Sequence, residues 1–78
     1  MERIKLIWEF RGPNAYPTAQ HHIIHLQEFA MAEGLENTLC KVDKISEMYS
    51  MAYMVVDKEH MNDLRTRLKP HRGQLYHE

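Results

Sequence analysis

From Glu2 to Arg11 apolar and polar residues alternate, with Ile4, Leu6, Trp8 and Phe10 on one side and Arg3, Lys5, Glu9 and Arg11 on the other. A period of two is that of a strand with one buried face. Ile7 is the one apolar residue in the polar set, so the second face of this strand is expected to be partly covered as well. Gly12-Pro13 ends the strand, because proline offers no N–H to a ladder. The period then changes to that of a helix. Ala15, Ala19, Ile23, Leu26 and Ala30 form one narrow stripe at about 100° per residue, bordered by His22 and Phe29. Asn14 stands where an N-cap belongs, Pro17 fits within the first turn, and Gly34 is the expected stop. The small residues in the stripe predict a helix lying close to a sheet.

Thr38 to Ile45 reads as a second strand in which Ile45 falls out of phase with Cys40 and Val42, so a bulge or an edge position is expected. Ser46 to Tyr49 forms a turn. Ser50 to Val56 is apolar on both faces, which places it inside the sheet. Asp57 begins a second helix from about Lys58 to Lys69, with Met61, Leu64 and Leu68 as its buried stripe and Pro70 as its end. Gln74 to Tyr76 has the length of a short final strand.

The order strand, helix, strand, strand, helix and short strand, with right-handed crossovers, predicts an α+β ferredoxin-like domain spanning residues 1–78, an antiparallel sheet with both helices on one face. The other face must meet water, a ligand or a partner. Ile7 and the two-sided third strand suggest that part of it is covered, and a domain of this size gains stability by pairing with a copy of itself, so a homodimer is expected.

Composition narrows the functional classes. Ten Lys and Arg against eleven Asp and Glu leave a net charge of −1, which argues against nucleic acid as a partner. No apolar run is long enough for a membrane span, and the start carries no signal-peptide pattern. With Cys40 alone and no disulfide framework, a cytoplasmic protein is expected. The six methionines suit an adaptable core or contact surface.

Candidate chemistry gathers where the first strand hands over to the first helix. Arg11 with the helix start behind it suits an anionic ligand, Asn14 either caps the helix or bonds that ligand, and His22 and His25 are placed to orient it. His22, or else His25, is the preferred general base if the chain is a cofactor-independent enzyme of the dimeric-barrel type. His21, His25 and Glu28, at i, i+4 and i+7, share one exposed helical stripe and form a possible site for zinc or another transition metal. The chain lacks the His-Glu-x-x-His order of a zinc hydrolase, and no other catalytic motif stands out. The reading preferred from sequence is a homodimeric binding or interaction module, with a small anionic ligand or a protein as partner and no required cofactor. Its site is Arg11, Asn14, His22 and His25.

Overall fold

The computed structural model describes residues 2–76. The elements follow the order β1 (Arg3–Arg11), α1 (Ala15–Ala32), β2 (Leu39–Ser46), β3 (Tyr49–Asp57), a 3₁₀ turn (Lys58–His60), α2 (Met61–Leu68) and β4 (Arg72–Tyr76). The strands form one antiparallel sheet in the order β2-β3-β1-β4. This is the α+β arrangement expected from the hydropathy pattern, and it is compatible with a ferredoxin-like topology. The final strand pairs with β1 from Arg3↔Tyr76 to Ile7↔Arg72. β3 lies inside the sheet and β2 at its edge, where Ile45 interrupts the pairing between Lys44 and Ser46.

Strand parity sorts the side chains into two faces. Ile4, Leu6 and Trp8 of β1 stand opposite Val56, Met54 and Ala52 of β3 and bury against α1 through Ala19, Ile23, Leu26 and Ala30. The alanines leave no side-chain bulk to hold helix and sheet apart. The opposite face carries no helix, yet Ile7 is 1% and Val55 0% exposed. Long neighbouring side chains provide the cover. Lys5 places Nζ 4.1 Å above the Tyr53 ring. Arg72 reaches from β4 across β1, with Nη2 3.6 Å from Glu9 and 3.4 Å from the Met51 sulfur. The covered centre anticipated from Ile7 is therefore sealed within one chain.

Both ends of α1 are satisfied mainly by backbone. Asn14 occupies the N-cap position, but its side chain makes no capping bond; Thr18 N–H donates to the Asn14 carbonyl at 3.1 Å. Gly12, at φ +106°, donates its N–H to the Met48 carbonyl at 2.7 Å and so ties the end of β1 to the β2–β3 turn. At the other end, Gly34 at φ +66° donates to Met31 and Leu35 to Ala30, the paired bonds of a Schellman stop.

The second helix is shorter than the expected Lys58–Lys69. Its first turn is the 3₁₀ segment, and the Asp57 side chain makes no capping bond. Leu64 is its one fully buried residue; Met61 and Leu68 pack partly beside it. Trp8 Nε1 donates to the Leu68 carbonyl at 3.1 Å, and Arg67 bonds Glu33 at 2.7 Å beyond the end of α1. Lys69 ends α2 in the left-handed region at φ 50°, immediately before Pro70. A side chain there is strained by about 1 kcal/mol relative to glycine. Lys69→Gly is therefore expected to stabilise the fold by up to about 0.5 kcal/mol, because the greater freedom of glycine in the unfolded chain offsets part of the relief. Thermal unfolding followed by circular dichroism should show the midpoint rise, and a lower midpoint would contradict the strain argument.

Candidate functional site

Trp8 and Phe10 turn toward the helix layer, and His22 settles on them from the border of the α1 stripe, with ring centroids 4.9 Å and 5.6 Å away. Its Nε2 is buried and has no hydrogen-bond partner. Burial is the main cause that pushes the His22 pKa below its usual value, and a proton on His25 or His71 would push it the same way.

His71 arrives from the turn between α2 and β4. Its backbone N–H donates to the Ile7 carbonyl at 2.9 Å, and its Nδ1 accepts the Glu9 N–H at 2.7 Å. The imidazole thus supplies one more rung to the ladder beyond Arg72, and this bond assigns the ring proton to Nε2.

Arg11 does not join the histidines. It shares parity with Arg3, Lys5 and Glu9, so it lies on the helix-free face, where its guanidinium sits 4.2 Å over the Tyr49 ring. Tyr49 Oη donates to the Glu9 carboxylate. That bond lowers the Glu9 pKa, assisted by Arg72, Arg11 and His71, and it raises that of Tyr49. The expected grouping of Arg11, Asn14, His22 and His25 is accordingly divided by the sheet. Arg11 is on one side, His22 on the other, and Asn14 is exposed at the helix start with no cap bond from its side chain. The sequence neighbourhood suggested one site because strand and helix adjoin there, but side-chain direction separates them.

His25 turns outward. Its Nε2 lies 3.1 Å from His21 Nε2, and its Nδ1 lies 3.6 Å from Glu28 Oε1. Glu28 therefore faces the nitrogen of His25 remote from His21, and the three expected ligands do not converge on one point. Among the described residues a three-donor convergence occurs instead at Asp57, Glu59 and His60, whose ligand atoms lie within 4.8 Å of one another. Sequence reasoning missed this group, although Asp-x-Glu-His at the start of a helical turn is a visible signal. Arg3 stands 4.0 Å from Asp57, a positive charge at a place where a cation would need to bind.

Two of the grooves among the described residues combine an apolar lining with room for a small ligand. One of about 490 Å³ lies between α1 and the β2 edge, lined by Tyr16, Ile23, Ile24, Cys40 and Val42. The other, of about 430 Å³, lies between α2 and β4, with Ile4, Met61 and Leu75 as its apolar part and Arg65 at its border. Neither is lined by His22 or His25. Cys40 is half-buried in the first groove, and burial pushes its thiol up, away from the thiolate a nucleophile needs. Among the described residues no helix is long and apolar enough to cross a membrane. Comparison of the chain with protein-family models, with curated proteins and with solved structures finds no match.

Proposed function

We propose that this chain is a small interaction module that works as a homodimer, joined along the β2 edge and the flank of α1 beside it. The supporting observation is where exposed apolar surface and unpaired backbone coincide. Of the six large hydrophobic residues left exposed among the described residues, Tyr16 and Ile24 border the α1–β2 groove, and Ile45 and Met48 stand at the hairpin end of the same edge. β2 has a strand on one side only, so its outer N–H and C=O groups are open to another strand. The helix-free face is less suited to a dry contact, because its apolar centre is already sealed by its own lysine, arginine and tyrosine side chains.

The occupant that fits this edge is a second copy. In an antiparallel pairing centred on Val42, Lys41 of each chain stands opposite Asp43 of the other, so the two-fold axis sets unlike charges face to face on both sides. In this register Leu39 falls opposite the bulge at Ile45, which confines the ladder to Cys40 through Lys44. Val42 would then face its own symmetry mate at about 4.5–5.5 Å between Cα atoms, within the range a disulfide bridges. The Val42→Cys protein, in a Cys40→Ser background, is expected to give a covalent dimer under mild oxidation. Sedimentation of the unmodified chain should give twice the monomer mass, and Ile24→Glu should return it to a monomer. A chain that sediments as a monomer at 100 μM, or a Val42→Cys protein that stays uncrosslinked, would defeat the reading.

A further inference from the structure

The exposed histidine pair on α1 carries an inference of its own, independent of how the chains associate. Two nitrogens bound to one zinc ion at 2.0–2.1 Å, at angles between about 90° and 110°, lie roughly 2.8–3.4 Å apart. His21 Nε2 and His25 Nε2 are 3.1 Å apart, and their rings meet nearly at right angles, 78° between planes. They are one helical turn apart on the solvent side, so an ion could reach them without opening the core.

We propose that His21 and His25 form a two-histidine clip for a divalent transition-metal ion, with Glu28 orienting His25 and the remaining coordination positions taken by water or by donors from another molecule. Each nitrogen must present a lone pair to the ion, so each ring must carry its proton on Nδ1. The Glu28 carboxylate, 3.6 Å from His25 Nδ1, favours that tautomer for His25 in advance. In the metal-free chain the short contact between the two Nε2 atoms is then a hydrogen bond from His21 Nε2–H to the His25 Nε2 lone pair. Metal binding breaks this bond. The His21 proton moves through solvent to its Nδ1, and both rings remain neutral, so no net proton is released by the neutral pair. Imidazole donors suit zinc, nickel and copper, and among these copper(II) is expected to bind most tightly.

The test uses the full chain and Zn²⁺ alone. Titration calorimetry is expected to show one ion per chain. Long-range ¹H–¹⁵N spectra should show Nε2 of both His21 and His25 changing on zinc addition, with the His21 proton moving from Nε2 to Nδ1. His21→Ala and His25→Ala should each weaken binding at least tenfold, whereas His60→Ala should leave it unchanged. Glu28→Gln should weaken it a few-fold, less than the roughly 10–100-fold seen for outer partners in enclosed sites. Zinc signals that appear first at His60, or binding that survives both alanine substitutions at full strength, would overturn the proposal. All four substituted positions are away from the apolar core, so circular dichroism of the variants should match the parent, and a loss of binding then reports the clip rather than the fold.

Discussion

Leu64→Ala is expected to cost about 3 kcal/mol and to release α2 from the sheet before the rest of the domain unfolds. Leu→Ala in a core costs about 2–5 kcal/mol, because the lost transfer energy is joined by a cavity that neighbours fill only partly. A chain of this length holds roughly 4–12 kcal/mol in total, so the substitution removes a large share. The local effect follows from how little else holds the helix. Leu64 is the one residue of α2 that is fully buried, at 1% exposure. What remains includes partial packing of Met61 and Leu68, the Trp8 bond to the Leu68 carbonyl, and the exposed Arg67, which pairs with Glu33 and lies over the Phe29 ring. Solvent screening leaves a surface ion pair little stabilising power. Hydrogen exchange should therefore accelerate in α2 well before it does in β1 and β3. Leu75→Ala is the control, since Leu75 is 50% exposed and its truncation should cost well under 1 kcal/mol. Equal losses in the two variants, or uniform acceleration of exchange, would contradict the argument.

His22→Phe is expected to stabilise the domain by about 1 kcal/mol at neutral pH and to flatten its stability profile on the acid side. The neutral-pH gain comes from removing a buried nitrogen with no partner, a group whose desolvation costs about 1–3 kcal/mol, while the aromatic contact with Trp8 and Phe10 is kept. The pH effect follows from the direction of the shift. Burial lowers the folded pKa of His22 below 6.5. Below that value the unfolded chain takes up a proton that the folded chain refuses, so the parent loses stability as pH falls from about 6.5 toward the folded pKa. Glu9 and Glu33 are also lowered, by the Tyr49 and Arg67 hydrogen bonds, but their contributions are present above about 4.5 and are lost only below it. The two windows separate. Denaturant unfolding of both proteins between pH 5 and 7 should show a slope in the parent that is absent in His22→Phe. A parallel pair of curves would mean that His22 is not the residue excluded from protonation.

The distribution of legible and illegible features has a physical basis. Local periodicity was enough for β1, for the α1 stripe and for the bulge at Ile45, because each is written in the direction successive side chains point. The same parity already contained the separation of Arg11 from His22. Arg11 keeps company with Lys5 and Glu9, whereas His22 borders a stripe that must lie over Trp8 and Phe10. Adjacency along the chain obscured this. His71 at the Glu9 N–H joins positions 62 residues apart and depends on how the α2–β4 turn enters the sheet, which no local pattern records. The convergence of Asp57, Glu59 and His60 joins the last residue of β3 to a 3₁₀ turn, where periodicity had suggested an ordinary α-helical turn.

The two rims of the sheet are unequal, and this limits how copies can add to one another. β4 is five residues long and β2 eight, with Ile45 breaking the longer one near its end. A contact between two β2 strands about a two-fold axis uses the same surface on both molecules and leaves only the two short β4 rims outward. Such an assembly closes at two, with point-group symmetry and an extended sheet of eight strands. A head-to-tail contact of β2 on β4 would instead leave one unlike rim at each end and could continue as a filament. Which rim meets which is thus the difference between a finite particle and an open polymer.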